Sequence, residues 1–234
     1  MKTLFWDFHG TLIRAEKLWS KSLYQAITHI WPDRTITLEQ LSANQHPGTF
    51  PWDYPERDYR HLTDPEKWWQ AMEQQFAAIS ERSGLSAAEA AQVAPTVREL
   101  ILDPANFHLY EDAIQTLEAL SSQGWRHILL SNNFPELSKV MDQLDISRFF
   151  DLQIISALVG FEKPHPEIFA LALQQAGYPE NCVMIGDNPH ADAWGALQAG
   201  MSAILVHPRG ETLLSVPVCQ NLSDLVPLLQ EYRS

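Results

Sequence analysis

Cysteine is scarce in this chain: 2 among 234 residues, Cys182 and Cys219. Two distant thiols form neither a disulfide framework nor a metal-ligand spacing, and they read as buried or incidental thiols of a reducing compartment. Basic residues are also few, 16 Lys and Arg against 29 Asp and Glu, for a net charge of −13. No basic stretch stands out against that balance, which excludes a nucleic-acid partner. No apolar run approaches membrane-spanning length, so no membrane partner is expected. Met1 leads straight into an apolar segment with no room for a signal peptide, and a cytoplasmic protein is inferred. Internal repeats and low-complexity tracts are absent.

What is present is an alternation of helix and strand. Ala113, Leu117 and Leu120 share a helical face that ends at Gly124, and an apolar strand over residues 127–130 follows. Phe169, Ala172, Leu173 and Ala176 repeat the pattern before Gly177 and a strand at 182–185. A third helix, 191–199, stops at Gly200 before a strand at 203–206. Such alternation predicts an α/β fold with a doubly wound parallel sheet and right-handed crossovers. Between Ile13 and Leu109 the pattern changes: helical stretches at 19–31, 65–82 and 86–102 occur without a core strand. The length suits one α/β core, residues 1–13 and 110–234, with a smaller insertion at 14–109.

Open α/β sheets bind ligands outside the carboxyl ends of their strands, and polar residues collect at those ends here. The apolar run Lys2 to Trp6 stops at Asp7 and turns through His9, Gly10 and Thr11. The strand at 127–130 runs into Ser131, Asn132 and Asn133. Gly160, Phe161 and Glu162 lead to Lys163, followed by Pro164, His165 and Pro166, where a helix can start. Val183 to Gly186 ends at Asp187, with Asp192 beyond. Singly, each reads as a turn residue, a helix cap or a solvated charge. In order, they form a nucleophile, a hydroxyl, an ammonium and an acidic pair.

With those motifs the sequence resembles the haloacid dehalogenase-like hydrolase superfamily. Its four motifs match as Asp7 to Thr11, Ser131, Lys163, and Gly186-Asp187 with Asp192. The resemblance extends over residues 162–169 and 186–201 and implies that 14–109 is a helical cap. It implies a phosphatase that transfers a phosphoryl group from a small phosphorylated metabolite to Asp7 and then to water, which splits one hard displacement into two easier ones. Mg²⁺ would be held by Asp7, Asp187 and the backbone carbonyl of His9, with Asp192 supporting the ion, as suits a hard cation that prefers oxygen ligands. Lys163 would neutralise nucleophile and phosphoryl group, while Ser131, Asn132, Asn133 and the backbone at Gly10 and Thr11 would bind phosphate oxygens. With a net charge of −13, the metal and local cations must draw such a substrate in. A monomer or a homodimer is compatible with the sequence.

His9 departs from the family pattern, in which a second aspartate protonates the leaving group and then activates water. Imidazole suits acid–base work at neutral pH, but a protonated His beside a metal is disfavoured by repulsion. Three outcomes stay open: a phosphatase that uses His9, a slow phosphatase, or another reaction. The same superfamily holds metal-free haloacid dehalogenases and phosphonate-cleaving hydrolases without the second acid, and a catalytically weak phospho-ligand binder is a further alternative. The retained Asp187 and Asp192 favour a metal, and nothing marks Lys17, Lys21 or Lys67 as a reactive amine. Trp19, Trp31, Trp52, Trp68 and Trp69 fall in the insertion and are expected mostly to pack it. The irregular stretch 45–63 is the better candidate for a substrate-facing or hinge-adjacent loop.

Overall fold

β1 (Lys2–Trp6) begins the chain and leads through the Asp7 turn into a helical segment. A computed structural model describes residues 2–14, 17–45 and 49–230, so residues 46–48 of the irregular stretch lie outside the described residues. The helical segment contains α1 (Leu18–Ile30), α2 (Leu38–Ala43), α3 (Pro65–Arg82) and α4 (Ala87–Ile101). Then follow α5 (Ala113–Ser122), β2 (Trp125–Ser131), α6 (Leu137–Gln143), β3 (Phe150–Ile155), α7 (Ser156–Val159), α8 (Pro166–Ala176) and β4 (Asn181–Gly186). A π-helical turn, Pro189–Trp194, runs into α9 (Gly195–Gln198), and β5 (Ser202–Val206), β6 (Val218–Cys219) and α10 (Leu225–Gln230) complete the fold. No helix among the described residues is long and apolar enough to cross a membrane.

Helix starts follow from local chemistry. Asp64 accepts a hydrogen bond from the Lys67 N–H ahead of Pro65, and Ser86 and Glu89 satisfy each other's backbone amides in a capping box. The β-strands form one parallel sheet in the order β3-β2-β1-β4-β5-β6. Alternate residues of β1 face opposite sides: Leu4 and Trp6 join one hydrophobic cluster, Phe5 the other. The first cluster continues into the helical segment through Trp68, Trp69 and Phe76.

Two expectations are corrected. Lys163 does not follow a strand directly: β3 ends at Ile155, and α7 intervenes. The helix expected over 191–199 is a π-helical turn that starts at Pro189 and tightens into α-helix at Gly195.

The helical segment also meets the sheet's loops through polar contacts. The Trp69 indole N–H donates to Glu136 Oε2 at 2.8 Å, and Arg98 donates to Glu136 Oε1 at 2.9 Å. The Tyr59 N–H donates to the Gly160 carbonyl at 2.8 Å. Gly160 has φ +82°, and a Cβ there would lie 2.6 Å from the Arg60 backbone. Gly160→Ala should therefore strain the backbone and push Arg60 away, costing roughly 1–3 kcal/mol. Thermal denaturation and hydrogen exchange at the Tyr59 amide test this; unchanged protection of that amide would contradict it.

Candidate active site

Asp7, Ser131 and Asp187 stand side by side because β2, β1 and β4 are neighbours in the sheet. Trp6 pairs with Leu129 on one side and Ile185 on the other. The Asp7 N–H extends the ladder by one residue, donating to the Ile185 carbonyl at 2.9 Å. Ser131 Oγ donates to Asp7 Oδ1 at 3.0 Å. Lys163 Nζ donates to the same oxygen at 2.9 Å and to Asp192 Oδ1 at 2.6 Å. All four groups are buried.

Lys163 reaches this point through Asn132. The Lys163 N–H donates to Asn132 Oδ1 at 2.7 Å, and Asn132 Nδ2 donates to the Lys163 carbonyl at 2.9 Å. On the opposite side, Asn188 caps the π-helical turn: its Oδ1 accepts from the N–H groups of His190 and Ala191, both at 3.0 Å. The Asn188 N–H donates to Asp192 Oδ2 at 2.9 Å.

The charges are strongly coupled. Burial disfavours ionised Asp7, yet Lys163 and the hydrogen bonds to the carboxylate outweigh it and lower its pKa. Burial likewise opposes the Lys163 ammonium, but Asp192 and Asp7 overcome it and raise its pKa. Asp187 is pushed up to about 7 by burial and by the neighbouring Asp7 and Asp192 charges, against the pull of Arg209. Oxygens of Asp7, Asp187 and Asp192 lie within 4.8 Å of one another.

Arg209 was not anticipated from the sequence. Its guanidinium bonds the Asp187 carboxylate and donates to the His9 backbone carbonyl at 2.6 Å, while its own N–H donates to the Asp187 carbonyl. It lies just beyond the carboxyl end of β5, so the strand-end rule that found the other residues applies to it as well.

The His9 ring is held in one tautomer. Asn133 Oδ1 accepts from the Phe134 N–H at 3.1 Å, which turns Nδ2 toward His9 Nδ1 at 2.8 Å. Nδ1 is therefore the acceptor, and the proton of the neutral ring sits on Nε2, which is buried without a partner. Burial lowers its pKa to about 4, with Asp7 opposing and Arg209 assisting.

The structure does not bring Gly10 and Thr11 to the cavity wall. The Gly10 N–H donates to the Ile13 carbonyl and the Thr11 N–H to the Phe8 carbonyl, so both amides serve the turn. A Cβ on Gly10 would sit 2.0 Å from Asp187 Oδ2, so this glycine lets the carboxylate approach the backbone. Asp7, His9, Asn132, Asn133, Lys163, Asp187 and Asp192 all line one cavity of about 350 Å³, with Trp19, Trp52 and Pro55 from the helical segment.

Residues 1–200 match the haloacid dehalogenase-like hydrolase family, and the chain belongs to it. The glyceraldehyde 3-phosphate phosphatase of Methanothermobacter thermautotrophicus is 42% identical over 101 residues, a match that spans 42% of this chain and 44% of that enzyme. The mouse haloacid dehalogenase-like hydrolase domain-containing protein 3 is 27% identical over 98% of this chain and 94% of its own length. Among solved structures, the Bacillus subtilis HAD-hydrolase YfnB bound to magnesium is similar in fold, with TM-score 0.75 and 18% identity over 98% of each chain.

Glu162 adds a testable electrostatic feature. It is buried, one carboxylate oxygen has no partner, and burial pushes its pKa up to about 8 against the opposing influence of Ser156 and Lys163. An unfolded Glu ionises near 4.5. Between these values the folded state keeps a proton that the unfolded state has released, so stability falls as pH rises from about 4.5 to about 8, then levels. Glu162→Gln should remove this contribution to the slope and leave that of Asp187, stabilising the protein at pH 8 by on the order of 1–3 kcal/mol while changing little at pH 4.5. Urea unfolding of wild type and variant at both pH values checks it; a stability difference between the two proteins that is the same at pH 4.5 and pH 8 contradicts it.

Proposed function

We propose that the protein is a Mg²⁺-dependent phosphomonoester hydrolase acting on a small phosphorylated metabolite through an aspartyl-phosphate on Asp7. The observation that carries this reading is the buried Lys163 ammonium shared by Asp7 and Asp192 beside Asp187. The relatives that are phosphatases support the same chemistry. Residues 14–109 would be the cap, and the two unpaired thiols suit a cytoplasmic setting.

The donor set fits the ion. Three carboxylates converge, and Asp187 Oδ1 is buried with no partner. Asp7, Asp187 and the His9 carbonyl would hold Mg²⁺, with Asp192 supporting it, and the bound ion would neutralise the attacking carboxylate and the phosphoryl oxygens. Arg209 now bonds two of those groups and would have to release them.

The residues divide the work as follows. Oδ1 of Asp7 is held by Ser131 and Lys163, which leaves Oδ2 to attack phosphorus. The bond from Oδ2 to phosphorus forms as the ester P–O bond breaks, and the leaving oxygen takes the electron pair. Water then attacks the aspartyl-phosphate, releasing inorganic phosphate and regenerating the carboxylate. Lys163 keeps Asp7 ionised and offsets the charge of the transferring group. Burial holds His9 neutral and Asn133 fixes its tautomer, so the residue lends packing and its backbone carbonyl rather than a proton. Leaving-group protonation thus falls to water, and turnover is slow compared with a site that has an acid at position 9.

Asp7→Asn should lower Mg²⁺-dependent hydrolysis of 4-nitrophenyl phosphate by at least about a thousandfold. Full activity in that variant, or wild-type activity that persists in chelator, would overturn the proposal. His9→Asp should raise kcat by about tenfold or more, measured on an alkyl phosphate whose leaving group needs a proton. A fall instead would assign His9 a role an acid cannot fill.

A further inference from the structure

The cavity has two chemically distinct walls. The sheet edge supplies every charged group: the carboxylates of Asp7, Asp187 and Asp192 and the cations Lys163 and Arg209. Among the described residues, the wall from the helical segment is Trp19, Trp52 and Pro55, with no charge. The two indoles lie 5.0 Å apart at 43°, and Trp52 stacks on Phe50 at 4.6 Å and 15°. Trp19 is backed by Phe76 at 5.8 Å and 24°. Both indoles are thus held by rings behind them while remaining half-buried at the cavity.

We propose that Trp52 and Trp19 select a phosphomonoester whose leaving group carries a flat, uncharged ring. This deepens the phosphatase reading and rests on it. The phosphoryl group has to sit at Asp7 and Lys163, so the leaving group extends toward the opposite wall. That wall offers ring faces, which favour flat apolar or heteroaromatic groups in offset or edge-to-face contact. Among the described residues it offers no cation to pair with a carboxylate and no carboxylate to pair with an amine. A zwitterionic leaving group such as that of phosphoserine would lose hydration there with nothing to replace it. About 350 Å³ leaves room for a ring beyond the phosphoryl group.

The test compares benzyl phosphate with propyl phosphate, whose leaving alkoxides are similar in basicity, so intrinsic reactivity does not bias the comparison. Dissociation constants are measured by calorimetry with Mg²⁺ in the Asp7→Asn protein, which separates recognition from turnover. Benzyl phosphate should bind at least about tenfold tighter, and phosphoserine weakest of the three. Adding Trp52→Leu should reduce the benzyl-to-propyl ratio to within about threefold, and Trp52→Phe should restore most of it. Restoration by Phe shows that a ring face, not folding, is what the leucine variant lost. Equal binding of benzyl and propyl phosphate, or a ratio that survives Trp52→Leu, overturns the ring proposal alone. Absence of Mg²⁺-dependent hydrolysis of either phosphate by the wild type overturns the phosphatase reading, and the ring proposal with it; where Asp7→Asn, having lost a metal-binding carboxylate, binds neither ester, the ratio of wild-type KM values decides the ring proposal by the same limits.

Discussion

The site depends on one buried ammonium group. Lys163 is cut off from water, and its charge is tolerated because Asp7 and Asp192 approach to within 2.9 and 2.6 Å. Removing any of the three would strand a charge in a low-dielectric place, so their positions cannot drift independently. The sheet fixes Asp7, the capped π-helical turn fixes Asp192, and Asn132 anchors the Lys163 backbone with two hydrogen bonds. The rest of the active-site geometry is arranged around this triad.

A second constraint is the continuity of the hydrophobic interior. From His9 a succession of aromatic neighbours runs through Phe107, Phe134, Trp69, Trp68 and Trp19 to Trp52, each ring pair within 6.2 Å. One end touches the Asp7 turn and the other forms the cavity wall. The apolar surroundings explain why the His9 imidazole stays neutral. They also place the helical segment against the sheet by ring packing, with Glu136 as the polar tie between them.

Much of this arrangement was legible because the informative residues lie next to the element that positions them. Asp7, Ser131 and Asp187 each terminate or directly follow an apolar strand, so a local pattern carries a tertiary meaning. The starts of α3 and α4 were legible for a similar reason, since Asp64-Pro65 and Ser86 with Glu89 are complete within one helical turn. β3 was not: its sequence, Phe150 to Ile155, mixes acidic, amide and apolar residues at the sheet's edge. Lys163 was found by its motif, but its route through α7 was not visible. Arg209 carries no local signature, because its meaning comes from Asp187 and His9, residues distant in the chain. At Gly10 and Thr11 the resemblance implied phosphate contact, and the turn uses their amides internally.

Arg209 occupies a particular position among these residues. It is half-exposed, and it spans the Asp187 carboxylate and the His9 carbonyl. A tethered guanidinium there acts as a placeholder counter-ion for a cluster that would otherwise repel itself. Under the proposed function a divalent ion would arrive by substitution rather than by filling: the guanidinium would withdraw as the ion came in, and the carboxylates would keep a counter-charge. The loop after β5 would then be the part of the fold that answers to which cation is present.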